Sequence, residues 1–186
     1  DFEMGFIDGP NDVMELERAV LTEIFDDIRT RFDGKLAGFE PYLPSLEKAP
    51  IWDFQECLER LKKEHGRTDL VDDLDPDGER QICALAEKEH GVSAAFVVGF
   101  PIDNRPFYTM PRADGKSAAG FDLLFRGVEI TTGGQRRHTR EDLESSLRGR
   151  AQVSPRRHPR DEVEQLEYVA RARDGRRAQP KQRVRA

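Results

Sequence analysis

The sequence predicts an α+β fold, an antiparallel β-sheet flanked by helices, followed by a basic, disordered C-terminal tail. Three observations carry that prediction. Apolar residues recur at helical spacing over long stretches between residues 10 and 90. Residues 118–138 read as a β-hairpin with charged and glycine positions inside it. Residues 151–186 hold ten Lys/Arg against five Asp/Glu and, apart from a weakly amphipathic stretch over Asp161–Arg173 (Val163, Leu166, Val169), follow neither period.

At 186 residues, 37% apolar and 35% charged, the chain is long enough for one domain with a sizeable core. The net charge of −6 is unevenly spread: residues 151–186 carry +5, which leaves −11 on the rest. Net charge therefore argues against polyanion binding by the body of the chain. Cys57 and Cys83 have no metal-ligand spacing and read as two buried free thiols of a cytosolic protein. No signal peptide and no long apolar segment appears.

Taken in order, Asp1–Ile7 alternates like a half-buried strand, with Phe2, Met4 and Phe6 on one face and Asp1 and Glu3 on the other. A strand with no lead-in predicts further chain before it. Gly9-Pro10 turns, Asp12 and Glu15 are spaced for a capping box, and Val13, Leu16, Val20, Ile24, Ile28 and Phe32 form the expected core stripe of a long helix ending at Asp33-Gly34. Prolines 41, 44 and 50 make residues 35–50 a loop. A second helix, capped by Asp53 and Glu56, buries Phe54, Cys57, Leu58 and Leu61 and stops at His65-Gly66; Trp52 at its start is a packing residue. Asp72–Glu79 lacks the calcium-loop pattern and reads as the lead-in to a helix over Gly78–His90, with Ile82, Leu85 and Ala86 inward. His65 and His90 each close a helix, which explains them without catalysis. Ala94–Phe100 and Phe107–Met110 read as strands, the second entered through Pro106, with Arg105 at the mouth between them. Residues 112–118 form a polar loop, and Arg140–Leu147 a short surface helix.

Phe121–Phe125 and Val128–Ile130 pair across an Arg126-Gly127 turn, a dipeptide suited to the positive φ of tight hairpins. Asp122 and Glu129 thus lie in otherwise apolar strands, and Thr132, Gly133, Gly134 and Arg136 follow. Two acids, a hydroxyl, a Gly-Gly and an arginine suit a divalent cation and an anionic substrate. The residues alone leave a second reading open, a half-exposed hairpin with solvated charges. The same holds for Asp1 and Glu3 as solvent-facing acids and for Arg105 as a surface loop arginine.

The run from Phe121 to Arg136 (Phe-Asp-Leu-Leu-Phe-Arg-Gly-Val-Glu-Ile-Thr-Thr-Gly-Gly-Gln-Arg) resembles the core signature of class II aspartyl-tRNA synthetases of the archaeal and eukaryotic type. Arg105-Pro-Phe-Tyr-Thr-Met-Pro111 resembles the family's basic residue before Pro-Phe-Tyr-Thr-Met-Pro, and Asp1–Ile7 is similar to the strand after its motif 2. The three matches span residues 1–150. The related asparaginyl-tRNA synthetases usually carry Gly-Glu and Gly-Gly-Ser where this chain has Val128-Glu129 and Thr-Thr-Gly-Gly, which favours the aspartyl branch.

The resemblance implies a partial catalytic domain over residues 1–150, part of the class II antiparallel sheet. It implies an ATP-dependent aspartate–tRNA ligase, cytoplasmic, with L-aspartate and tRNA as partners and a homodimeric parent. Glu129 and Asp122 would hold Mg²⁺ on the phosphates of ATP, with Thr132 adding its hydroxyl. Arg136 would grip the side-chain carboxylate of aspartate, Asp1 would hold its ammonium group, and Glu3 and Arg105 would line the substrate pocket. Residues 151–186 contain no motif 3, and a reading-frame change near codon 150 is the expected source of that tail. With the anticodon domain, motif 1 and motif 2 also missing, the chain by itself is expected to be inactive or nearly so. Two other classes remain: a tRNA-independent aspartate-activating enzyme, and a non-catalytic paralogue binding tRNA through the basic tail.

Overall fold

The computed structural model describes residues 2–32, 35 and 43–153. They divide into two units, one ending at His138 and one beginning at Thr139. In the first unit the elements are α1 (Pro10–Arg31), β1 (Ile51–Asp53), α2 (Phe54–His65), α3 (Pro76–His90), β2 (Ala94–Val98), β3 (Gly120–Phe125) and β4 (Val128–Gly134). In the second, α4 runs over Arg140–Val153. The sheet order is β1-β2-β3-β4, antiparallel from β2 to β4, with β1 joining β2 in parallel. The fold is α+β.

Strand alternation sorts the core into two sides. Ala95, Val97 and Leu124 face α2 and α3, where they pack with Trp52, Phe54, Cys57, Leu61, Ile82 and Leu85. Phe96, Phe121 and Leu123 face the other way, onto Met14 of α1. All five residues of β2 are buried, as a strand covered on both faces requires. The two helices on the first side are closed as their sequences predict. Asp53 and Asp75 accept the Gln55 and Gly78 N–H groups, and Gly66 and Gly91 end the helices in the left-handed region. Cys57 and Cys83 are free and buried, and burial pushes their thiols up to about 12 and about 11.

Four expectations are corrected. Residues 2–7 form no strand: Phe2 and Phe6 are exposed, and Phe6 has a φ of 59°, outside any strand conformation. Alternation alone does not make a strand when no sheet edge pairs with it. The buried stripe of α1 is only partly the predicted one: Val13 packs on the core, but Val20, Ile24 and Phe32 are exposed while Met14 is fully buried and Leu21 and Phe25 pack on the core. The true stripe runs through Arg18, which an apolar count skips. Its guanidinium donates to the Leu46 and Ala49 carbonyls at 2.6 and 2.9 Å and lies 5.1 Å from the Phe96 ring. No capping box forms at Asp12; the helix begins earlier, at Pro10, and Asp12 accepts the Asp8 N–H at 2.8 Å. Phe107–Met110 is a turn rather than a strand, closed by the Thr109 N–H on the Pro106 carbonyl at 2.9 Å.

The hairpin itself stands as predicted. Arg126 (φ 53°) and Gly127 (φ 82°) supply two successive positive φ values, the requirement of a type I′ turn. A Cβ on Gly127 would lie 2.6 Å from Arg80 Cγ and 3.1 Å from Arg80 Cα on α3. Gly127→Ala is accordingly expected to destabilise the fold by about 1–3 kcal/mol, read as a lowered urea midpoint at unchanged m-value.

The second unit opens on Thr139, whose hydroxyl accepts the Asp142 N–H at 3.2 Å. Glu144 pairs with Arg140 and Arg148 one turn to either side, and the helix extends six residues past the predicted Leu147. The predicted basic tail lies outside the described residues beyond Val153.

Candidate active site

The hairpin carries a register shift that decides which side chains meet. Leu123 pairs with Thr131, but Leu124 pairs with Glu129, so Ile130 is the extra residue of a β-bulge. Without it, Glu129 and Thr132, three residues apart, would point to opposite faces. With it, Glu129 lies opposite Leu124 and Thr132 opposite Asp122, all on the face that carries α2 and α3. Arg136 continues the Thr132 and Gly134 alternation and bridges to Thr109.

Asp122 is the most deeply placed acid among the described residues, 4% exposed. Arg105 reaches it with a two-pronged pair, Nη1 to Oδ1 at 2.8 Å and Nη2 to Oδ2 at 2.5 Å. The Thr132 hydroxyl donates to Asp122 Oδ1 at 2.6 Å and accepts from Arg105 Nη1 at 3.0 Å. The guanidinium carbon also lies 4.1 Å from the Phe100 ring centroid. Arg105 owes this reach to the 3₁₀ turn over Ile102–Asn104 and to Pro106, which hold the loop over the ends of β2 and β3.

Glu129 is exposed, yet burial of its carboxyl and the charge of Asp122 push its proton affinity up. Glu79, in the first turn of α3, is also raised, chiefly by burial, and accepts the Glu129 N–H at 3.3 Å. Sequence reading missed Glu79 because an acid in a helix's first turn is ordinary. It missed Phe100, the platform of Arg105, because an aromatic next to a strand is ordinary too. Raised carboxyls are ionised at a cost to the folded state, a cost that grows as pH rises from about 4.5 through the shifted values and is full above them. Glu129→Gln is therefore expected to raise the thermal midpoint at pH 7, with the gain vanishing by pH 4.

Arg136 is well exposed and makes an ion pair with Glu3 at 2.6 Å, with its guanidinium carbon 5.7 Å from the Tyr108 ring centroid. The structure thus brings Glu3 to Arg136, and Arg105, Asp122 and Thr132 to one another. Asp1 lies outside the described residues. The Gly133-Gly134 pair admits close neighbours, although here they belong to the protein. A Cβ on Gly133 would meet the Phe121 ring at 2.5 Å, and one on Gly134 the Ala119 carbonyl oxygen at 3.1 Å.

The donor set Asp122, Glu129 and Thr132 is two carboxylates and a hydroxyl, hard oxygens of the kind Mg²⁺ takes. No group of three or more His, Cys, Asp or Glu suited to a metal occurs among the described residues, and this set contains only two acids. Burial, the first cause of the raised Glu129 and Glu79, and the neighbouring charge of Asp122 both disfavour their ionised forms, which a divalent cation on these oxygens would favour. Among the described residues no helix is long and apolar enough to cross a membrane.

The family described as tRNA synthetases class II (D, K and N) matches residues 1–169. An aspartate–tRNA(Asp/Asn) ligase of Thermus thermophilus is 38% identical over 151 residues, covering 81% of this chain and 35% of that protein. A protein of the same description from Aeropyrum pernix is 39% identical over 157 residues, covering 80% and 34%. The chain spans about a third of the length of these curated relatives. Among solved structures, the aspartyl-tRNA synthetase of Entamoeba histolytica superposes with a TM-score of 0.70 at 27% identity, over 79% of this chain and 31% of that one. The asparaginyl-tRNA synthetase of the same organism, in complex with asparaginyl-adenylate, shares the fold with a TM-score of 0.66 at 19% identity, over 78% and 34%.

Proposed function

The chain belongs to the class II tRNA synthetases (D, K and N), and from that premise we propose that it forms the amino-acid and cation half of an aspartate–tRNA ligase site. The observation that carries the reading is the hairpin face, where Arg136, four residues beyond Thr132 of the Asp122–Thr132 pair, presents a guanidinium to a carboxylate. The enzyme reading is supported by curated aspartate–tRNA ligase relatives at 38% and 39% identity.

In this reading the α-carboxylate of aspartate attacks the α-phosphate of ATP, giving aspartyl-adenylate and pyrophosphate, and the aspartyl group then passes to the 3′ end of tRNA. The substrate is its own nucleophile, so the protein contributes position and charge. Arg136 holds the side-chain carboxylate of aspartate. Its pairing with the Glu3 carboxylate, Nη2 to Oε1 at 2.6 Å, supports both a carboxylate-binding role for Arg136 and a place for Glu3 beside the same pocket. A planar fork suits a carboxylate and disfavours an amide, which is the basis for refusing asparagine. Asp1 holds the ammonium group, and Arg105 adds positive charge at the pocket. Glu129, Asp122 and Thr132 would hold Mg²⁺, and the charge it would supply there is what a carboxylate approaching a triphosphate needs. The whole enzyme works as a cytoplasmic homodimer with tRNA and ATP as its other partners.

A stable sulfamoyl analogue of aspartyl-adenylate tests the amino-acid half directly. It is expected to raise the thermal midpoint of the chain in the presence of Mg²⁺, while the asparaginyl analogue leaves it unchanged. Equal shifts with both analogues, or a shift with the asparaginyl one alone, would overturn the reading.

A further inference from the structure

Arg105 and a divalent cation both have a claim on Asp122. Both carboxylate oxygens of Asp122 are already taken by Arg105, at 2.8 and 2.5 Å, and the third member of the triangle, the Thr132 hydroxyl, is bonded to both partners. The ion pair is almost closed to water, with side-chain exposures of 14% for Arg105 and 6% for Asp122. A second cation on the same oxygens would face the guanidinium at contact distance in a poorly screened setting, where like charges repel strongly. The two occupants therefore compete for the same oxygens. Phe100 supplies what a movable guanidinium needs, because its ring is a platform that does not depend on Asp122. Arg105 also sits on a loop, between the turn at Ile102–Asn104 and Pro106, rather than on a strand.

We propose that Arg105 is a built-in cation for the Asp122–Thr132 pair, which a divalent cation must displace, so that metal loading and release of the Arg105 fork toward an anionic substrate are one event. Before loading, the guanidinium neutralises the buried carboxylate and holds the strand end in shape. On loading, the metal takes over that neutralisation, and the fork turns to the carboxylate or phosphate that arrives with it. Cation and anion then bind with positive coupling, since each favours the state with Arg105 released. The proposal rests on the assignment of Asp122, Glu129 and Thr132 to the cation.

Mn²⁺ is the probe, its binding to the full chain followed by loss of the free-ion paramagnetic resonance signal. Arg105→Gln removes the competitor and is expected to bind Mn²⁺ about 5–150-fold tighter than the parent, the range of ordinary coupling between sites. Asp122→Asn in the same background is expected to cancel that gain. A second measurement uses the unsubstituted chain, so that a variant that folds poorly leaves the test intact. The Arg105 Nε–H resonance, in a chain labelled with ¹⁵N-arginine, is expected to shift on Mg²⁺ addition with the same midpoint as cation binding. A cation that binds through Glu129, with Arg105 unmoved and Arg105→Gln unaltered in affinity, would overturn the competition while leaving the cation site standing. No Mn²⁺ binding in either protein would overturn both.

Discussion

Asp122→Ala is expected to destabilise the folded chain by about 3–5 kcal/mol, the usual penalty for stripping one partner from a buried ion pair. The size follows from what is left behind. Arg105 would keep its charge, since guanidinium does not deprotonate in proteins, and would lose its two-pronged partner, keeping the Thr132 hydroxyl, the Phe100 face and the more distant charge of Glu129. Against a total stability of about 5–15 kcal/mol, such a loss leaves the domain marginal. Urea unfolding measures it. A double variant, Asp122→Leu with Arg105→Met, separates the charge from the packing. It removes both charges at similar volume and is expected to recover most of the loss. A loss under about 1 kcal/mol in Asp122→Ala, the range of exposed ion pairs, would contradict a closed, two-pronged pair.

The second large effect is on substrate choice. In an intact ligase that carries this chain's segment, Arg136→Ala is expected to cost about 2–5 kcal/mol of aspartate binding, the price of truncating a hydrogen-bonded charge pair. It should appear as a raised KM for aspartate and lost discrimination against asparagine. Lysine at that position is expected to restore little, because a point charge cannot reproduce the fork. Stability supplies the control. Arg136 is exposed and its contact with Glu3 is a surface pair, so Arg136→Ala in this chain is expected to leave the urea midpoint nearly unchanged. An unchanged aspartate KM in the alanine variant would remove Arg136 from the site.

The hairpin was legible because its signals are local. The Arg126-Gly127 turn, the apolar run of β3 and the helix caps at Asp53, Gly66 and Gly91 each rest on neighbours in sequence. What escaped depended on distant partners. The stripe of α1 is set by what Arg18 finds at Leu46 and Ala49, and no count of apolar residues contains that. The alternation of residues 2–7 promised a strand, but a strand exists only where an edge receives it. At the site, the resemblance named Asp122, Glu129, Thr132 and Arg136 together. The bulge at Ile130 that lets odd-numbered Glu129 share a face with even-numbered Thr132 and Arg136 was invisible until the register was known. Arg105 was read as a lining residue, and its bidentate hold on Asp122, across 17 positions of sequence, is a fact of tertiary structure alone.

The most direct test of the aspartate assignment grafts this chain, as residues 1–138, in place of the matching third of the Thermus thermophilus relative. The measurement is amino-acid-dependent exchange of pyrophosphate into ATP. The account predicts exchange with aspartate that is abolished by Glu129→Gln, and none above background with asparagine or lysine. A folded graft that exchanges with asparagine or lysine instead would contradict the assignment.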